Sequence, residues 1–149
     1  MIHVTLKSKS PEDTVKLGVA LAKFIKPGDI VCLSGELGAG KTTLVKGIAR
    51  GLKVNPARVN SPTFVLMKRF PLGASAKKAG FKYAYHIDAY RFRASKESDM
   101  LGLKETFKDP RAILLVEWPE RLKGLLPKGK LGVFFRHGKR EGERDIIAP

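Results

Sequence analysis

The chain has 149 residues, and its 29 Lys and Arg outnumber 14 Asp and Glu to give a formal charge of +15 and an isoelectric point near 10.2. That length suits one domain with one core spanning residues 1–149, no apolar run is long enough to span a bilayer, and Met1–Lys7 lacks the features of a signal peptide, so a membrane role is not expected. The lone Cys32 excludes an internal disulfide framework and reads as an inert core thiol in a cytoplasmic protein, while the cation excess points to a polyanion nearby.

Residues 1–7 read as a first strand. Ser10-Pro11-Glu12-Asp13 then starts a helix, with a capping hydroxyl, proline at the first helical position and two acids at the positive helix end. Leu17, Leu21 and Phe24 are expected on its apolar face, and Pro27-Gly28 closes it. Ile30–Leu33 is a short apolar run, as in a strand covered on both faces. A second helix is expected from about Lys41 to Leu52. Asn55-Pro56 and Ser61-Pro62 bracket a loop, Thr63–Phe70 alternates like a strand, and Pro71–Lys78 reads as a basic, exposed loop. Phe81–Asp88 is strand-like, with Tyr83, Tyr85 and Ile87 on one face. A short helix is expected from near Ser95 toward Leu103. Ala112–Val116 is the clearest buried strand, and Pro119–Leu126 a helical turn. Leu131–Arg136 and Arg144–Ile147 form two last strands around a turn at Gly138–Gly142. This alternation predicts an α/β fold with a mainly parallel sheet. In such sheets ligands bind beyond the carboxyl ends of the strands, where residues distant in sequence converge.

One such end carries a phosphate motif. Gly35-Glu36-Leu37-Gly38-Ala39-Gly40-Lys41-Thr42 matches G-x-x-x-x-G-K-[ST] without a mismatch. Backbone N–H groups of Gly35, Leu37, Gly38, Ala39 and Gly40 are expected to cradle phosphate, with Lys41, Thr42 and Thr43 at the helix start behind them. Lys41 supplies charge to the outer phosphates, and the Thr42 hydroxyl reaches Mg²⁺. ATP and Mg²⁺ are therefore the expected cofactors.

Hydrolysis needs more: an acid beside the metal and a group that positions water. Asp88 and Glu117 each end a predicted strand, and the aliphatic run before Glu117 makes it the better metal-side acid. Thr63 sits where a switch threonine would meet the γ-phosphate, and also where an ordinary strand begins. Arg91 is placed to touch phosphate or to pair with an acid. His86, alternating with Asp88, reads as a structural histidine.

Taken together, the motifs resemble the TsaE family, P-loop ATPases of tRNA threonylcarbamoyladenosine biosynthesis. The resemblance rests on the P-loop through Thr43, on Ser61-Pro62-Thr63-Phe64, on His86-Ile87-Asp88-Ala89-Tyr90-Arg91, and on Glu117-Trp118-Pro119-Glu120, in that order. It implies a P-loop NTPase three-layer sandwich with antiparallel additions. It also implies ATP hydrolysis in support of the partner proteins TsaD and TsaB, which modify tRNA. By the same resemblance, Lys41 and Thr42 hold phosphate and Mg²⁺, Glu117 joins the metal, and Asp88 supports hydrolysis. Trp118 belongs to the pocket region, and Ser10 borders the adenine. The segment from Pro71 to Lys82 is longer and more basic than the family usually carries, with Lys68, Arg69, Lys77, Lys78 and Lys82 around it, and is expected to contact tRNA held on the partner proteins. Ala89 and Phe92 replace leucines common around the D-x-Y-R core.

Two other readings share the P-loop: a small-molecule or nucleoside kinase using Asp88 as base, and a nucleotide-dependent binding module with incidental turnover. A GTPase fits less well, because Asp99-Met100-Leu101-Gly102 falls within a predicted helix and no N-K-x-D segment exists.

Overall fold

The computed structural model describes residues 3–54, 67–93 and 97–149. The Asn55–Phe64 loop expectations, including Thr63, the start of the 63–70 strand and the helix start at Ser95 lie outside the described residues. In chain order the elements are β1 (Val4–Ser8), α1 (Pro11–Ala22), β2 (Ile30–Ser34), α2 (Lys41–Gly51), β3 (Met67–Phe70), α3 (Ala74–Lys78), β4 (Tyr83–Asp88), α4 (Glu97–Phe107) and β5 (Ala112–Glu117). A 3₁₀ turn (Pro119–Leu122), β6 (Leu131–His137) and β7 (Arg144–Ala148) complete the described elements. Among the described residues no helix is long and apolar enough to cross a membrane.

The seven strands among the described residues join one sheet in the order β1-β7-β6-β2-β5-β4-β3. The middle is parallel: β6 and β5 flank β2, and β4 pairs with β5. The antiparallel additions lie outside, β3 on β4 at one edge, and β7 on β6 followed by β1 at the other. The predicted α/β class, with its parallel centre and antiparallel additions, is the observed one.

Strand alternation sorts the core into two clusters, one on each face. Val31, Leu33, Ile113, Leu115, Val133 and Phe135 pack toward Leu44 and Ile48 of α2. Ile30, Cys32, Ile87, Leu114 and Val116 pack toward Leu103 and Phe107 of α4, with Tyr83 and Tyr85 beside them. The result is three layers. Every side chain of β5 is buried, which is why its sequence is aliphatic without alternation.

α1 lies against α2 at close range. A Cβ placed on Gly18 would sit 2.7 Å from the Gly47 Cα, and one on Gly47 would collide with the Val15 carbonyl oxygen. Bare backbone lets the helices meet, and this contact seats α2, whose first turn holds Lys41 and Thr42.

Two expectations need correction. Pro71–Lys78 is not simply an exposed loop: Ala74–Lys78 is helical, and Leu72 and Ala76 are buried with Phe70 and Phe81 in the α2-side core. The glycine, the alanines and the basic end signalled a loop, but Leu72 and Ala76, ahead of the two lysines, anchor the segment. Phe24 does not extend the apolar face of α1; the helix ends at Ala22 and Phe24 is 77% exposed beyond it. The helical spacing that would place Phe24 over the core stops two residues too early.

Candidate functional site

Three parallel strands end on one rim and deliver the site. β2 runs into the loop at Gly35, β4 ends at Asp88, and β5 ends at Glu117, with Asp88 and Glu117 opposite each other in register. Parity along β4 and β5 turns His86, Asp88 and Glu117 to the face on which α2 packs. The predicted convergence of the loop with both acids is therefore the observed arrangement. A cavity of about 500 Å³ lies there, lined by the loop from Leu37 to Thr43 together with Asp88, Tyr90, Arg91, Glu117 and Trp118.

The loop is shaped by its glycines at two points. Gly40, at φ 101°, caps α2 in the left-handed region that glycine adopts without strain. Gly35 lies so near β6 that a Cβ would come within 2.8 Å of the Phe135 Cβ. No side chain caps α2, so its N-terminal N–H groups remain directed at the loop, as an anion site requires.

Lys41 is only 4% exposed, and its ammonium donates to the carbonyls of Gly35 at 2.5 Å and Glu36 at 2.8 Å. It also lies 4.0 Å over the Trp118 ring. Burial pulls its pKa below the ordinary lysine range, and the nearby charges of Glu117, Glu120 and Asp88 partly restore it. Trp118 holds that position with φ 58° and ψ 51°, a left-handed conformation that is costly for a bulky residue. Tyr90 packs on the same indole, with ring centroids 5.0 Å apart.

Glu117 is 3% exposed, and its Oε1 accepts from the Thr42 hydroxyl at 2.7 Å and lies 2.8 Å from His86 Nε2. Asp88 accepts from the Tyr90 backbone N–H at 3.1 Å. These groups suit magnesium. Octahedral Mg²⁺ holds oxygens at about 2.0–2.1 Å, so neighbouring ligands sit about 2.9 Å apart, close to the Thr42–Glu117 separation. Among the described residues no group of three or more His, Cys, Asp or Glu side chains is placed to hold a metal ion.

Of the other expected residues, Ser10 does not line this cavity. It is the N-cap of α1, its hydroxyl accepting from the Asp13 N–H at 3.1 Å. One turn on, Thr14 Cγ2 comes within 3.9 Å of a Cβ placed at Gly40, so the start of α1 borders the loop. A second cleft opens there, between Lys7, Ser8 and Lys9 and the Lys139–Asp145 turn; Arg144 donates to the Gly38 carbonyl at 3.3 Å. Sequence reasoning missed three participants: Tyr90, the Arg144 contact, and the bond between His86 and Glu117. For His86 the signal was present, since it shares the strand face of Asp88. Its partner, 31 residues away, was not legible.

The family model for "Threonylcarbamoyl adenosine biosynthesis protein TsaE" matches residues 8–146. The chain is similar to the tRNA threonylcarbamoyladenosine biosynthesis protein TsaE of Bacillus subtilis, 38% identical over 146 residues, which are 98% of this chain and 85% of that protein. The Aquifex aeolicus protein of the same name is 40% identical over 114 residues, 76% of this chain and 74% of its own. The crystal structure of Bacillus subtilis YdiB superposes with a TM-score of 0.75 at 31% identity, covering 99% of this chain and 84% of that one. With its P-loop, strand-end acids and neighbouring tryptophan in place and the match running through nearly its whole length, the chain belongs to the TsaE family.

Proposed function

We propose that this protein is a Mg²⁺-dependent ATPase that supports threonylcarbamoyladenosine modification of tRNA together with TsaD and TsaB proteins. The observation that carries the reading is the direct bond from Thr42 to Glu117, which joins the P-loop to the strand-end acid at one buried point.

In this reading the loop N–H groups and the α2 N-terminus bind the phosphates. Lys41 already sits inside the loop and carries its charge to the outer phosphates, exchanging two carbonyl partners for charged oxygens. Thr42 and Glu117 would hold Mg²⁺, which when bound neutralises charge developing on the β- and γ-oxygens. Asp88 stands beside Glu117 on the rim, where its carboxylate orients the attacking water. Arg91, exposed at the mouth, adds positive charge toward the phosphates. Trp118 and Tyr90 form one wall, limiting water at Lys41 and strengthening its electrostatics. The cleft between Lys7–Lys9 and the 139–145 turn lies on the opposite side of the loop from the acids, so the ribose and base extend toward it and toward Ser10.

Phosphate release by the protein alone and with TsaD and TsaB tests the reading, alongside co-precipitation in ATP, in ADP and without nucleotide. Weak release that rises sharply with the partners is expected. Phosphate transferred to an acceptor would instead establish a kinase, and turnover indifferent to the partners would remove the proposed role.

A further inference from the structure

Among the described residues five polar side chains are buried: Ser8, Thr14, Lys41, His86 and Glu117. Ser8 and Thr14 satisfy each other at 2.7 Å near the start of α1. Lys41 and Glu117 belong to the nucleotide site. His86 remains, fully buried, with its ring 6.2 Å from that of Phe70. Its Nδ1 has no hydrogen-bond partner among the described residues. An aliphatic side chain would fill this position without stranding a polar atom, a loss that costs about 1–3 kcal/mol. The histidine must gain elsewhere, and its other polar contact is Nε2 to Glu117 Oε1 at 2.8 Å.

An ionised carboxylate only accepts hydrogen bonds, so Nε2 carries the proton and donates it to Glu117. Oε1 thus receives two donors, Thr42 and His86. Thr42 has a second duty toward the cation; His86 has none. With Thr42 turned to the cation in the ATPase reading, the imidazole is left as a donor to Glu117.

We propose that His86 is a positioning residue whose Nε2–H fixes the Glu117 carboxylate for magnesium. The inference rests on the ATPase reading and adds to it the group that aims its metal-side acid.

Three variants of the full chain test it: His86→Leu, His86→Asn and His86→Gln. A glutamine amide nitrogen superposes on Nε2 of histidine, and an asparagine nitrogen on Nδ1. Two affinities are measured, that of Mn²⁺ for the ADP-saturated protein by electron paramagnetic resonance, and that of ADP in EDTA. Loss of a group that orients a metal ligand typically costs about 10–100-fold in metal affinity. His86→Leu and His86→Asn are expected to lose that much for Mn²⁺ while binding ADP in EDTA normally; His86→Gln is expected to remain close to the wild type. A leucine or asparagine variant that holds Mn²⁺ like the wild type overturns the proposal. So does a glutamine variant as weak as the leucine one, which would reduce His86 to packing. Should His86→Leu not fold, the glutamine–asparagine pair decides, since both are polar and differ in where the nitrogen sits. A wild type that binds ADP in EDTA but shows no Mn²⁺ binding would instead fail the metal-dependent ATPase reading, and the proposal with it.

Discussion

The two rims of the sheet carry charge in opposite ways. On the carboxyl rim Lys41, Glu117 and His86 are almost fully buried and locked in short hydrogen bonds, beside a tryptophan in a strained backbone conformation. On the amino rim Lys77, Lys78, Lys82 and Arg111 are exposed, and the Lys82 backbone N–H donates to the Arg111 carbonyl. Lys82 and Arg69 rest 5.3 Å over the Tyr83 ring, covering apolar surface while their charges stay in water. Buried, oriented charge is worth far more than solvated charge, so the proposed chemistry is assigned to the first rim, while the exposed cations of the second can act only at long range. The net charge of +15 therefore says little about the site, whose cations and acids are balanced against one another.

The sharpest way to break this contrast is Glu117→Ala. Loss of a preorganised electrostatic contact should lower turnover by about a hundredfold or more, with nucleotide binding still measurable. Normal phosphate release by that variant would remove Glu117 from the site. Next comes Lys41→Ala, which removes charge-assisted bonds worth about 1.5–3 kcal/mol and should weaken ATP binding by about ten- to a hundredfold. Trp118 is the sole tryptophan, 4.0 Å from the Lys41 ammonium, so its fluorescence reports this step directly. ATP should change the emission in the wild type and leave it nearly flat in the variant.

Cys32 extends the comparison to the interior. Burial pushes its thiol from 9.0 up to about 11. Between those values the unfolded chain releases the proton while the folded protein keeps it, so stability falls as pH rises. Relative to Cys32→Ala, the wild type should lose at most about 1.4 kcal/mol per pH unit across that window, read from denaturant midpoints. A parallel pH dependence in the two proteins would show that the thiol is not shielded. The smallest effect belongs to the amino rim. Replacing Lys77, Lys78 and Lys82 by Gln should leave basal phosphate release unchanged and shift stability by less than about 0.5 kcal/mol. A large loss of turnover there would dissolve the distinction between the rims.

Much of the site was legible in the chain. The glycine–lysine loop following an aliphatic strand predicted the phosphate cradle, because only that order places backbone N–H groups and a helix start on one anion. Asp88 and Glu117 were legible as strand ends for the same topological reason. The misjudged 71–78 segment shows the limit: its proline, glycine and two lysines read as a loop, while Leu72 and Ala76 decide its packing.

What the sequence by itself determined is which backbone and side-chain chemistry is available, since motif spacing and strand polarity follow from local rules. Only the tertiary structure decided the pairings across the sheet. Thr42 meets Glu117 and His86 meets that same oxygen through strand register, Trp118 covers Lys41 through a strained turn, and Arg144 reaches Gly38 from the last strand. Each of these joins residues far apart in the chain, and their distances are set by packing of the sheet, which no local pattern encodes.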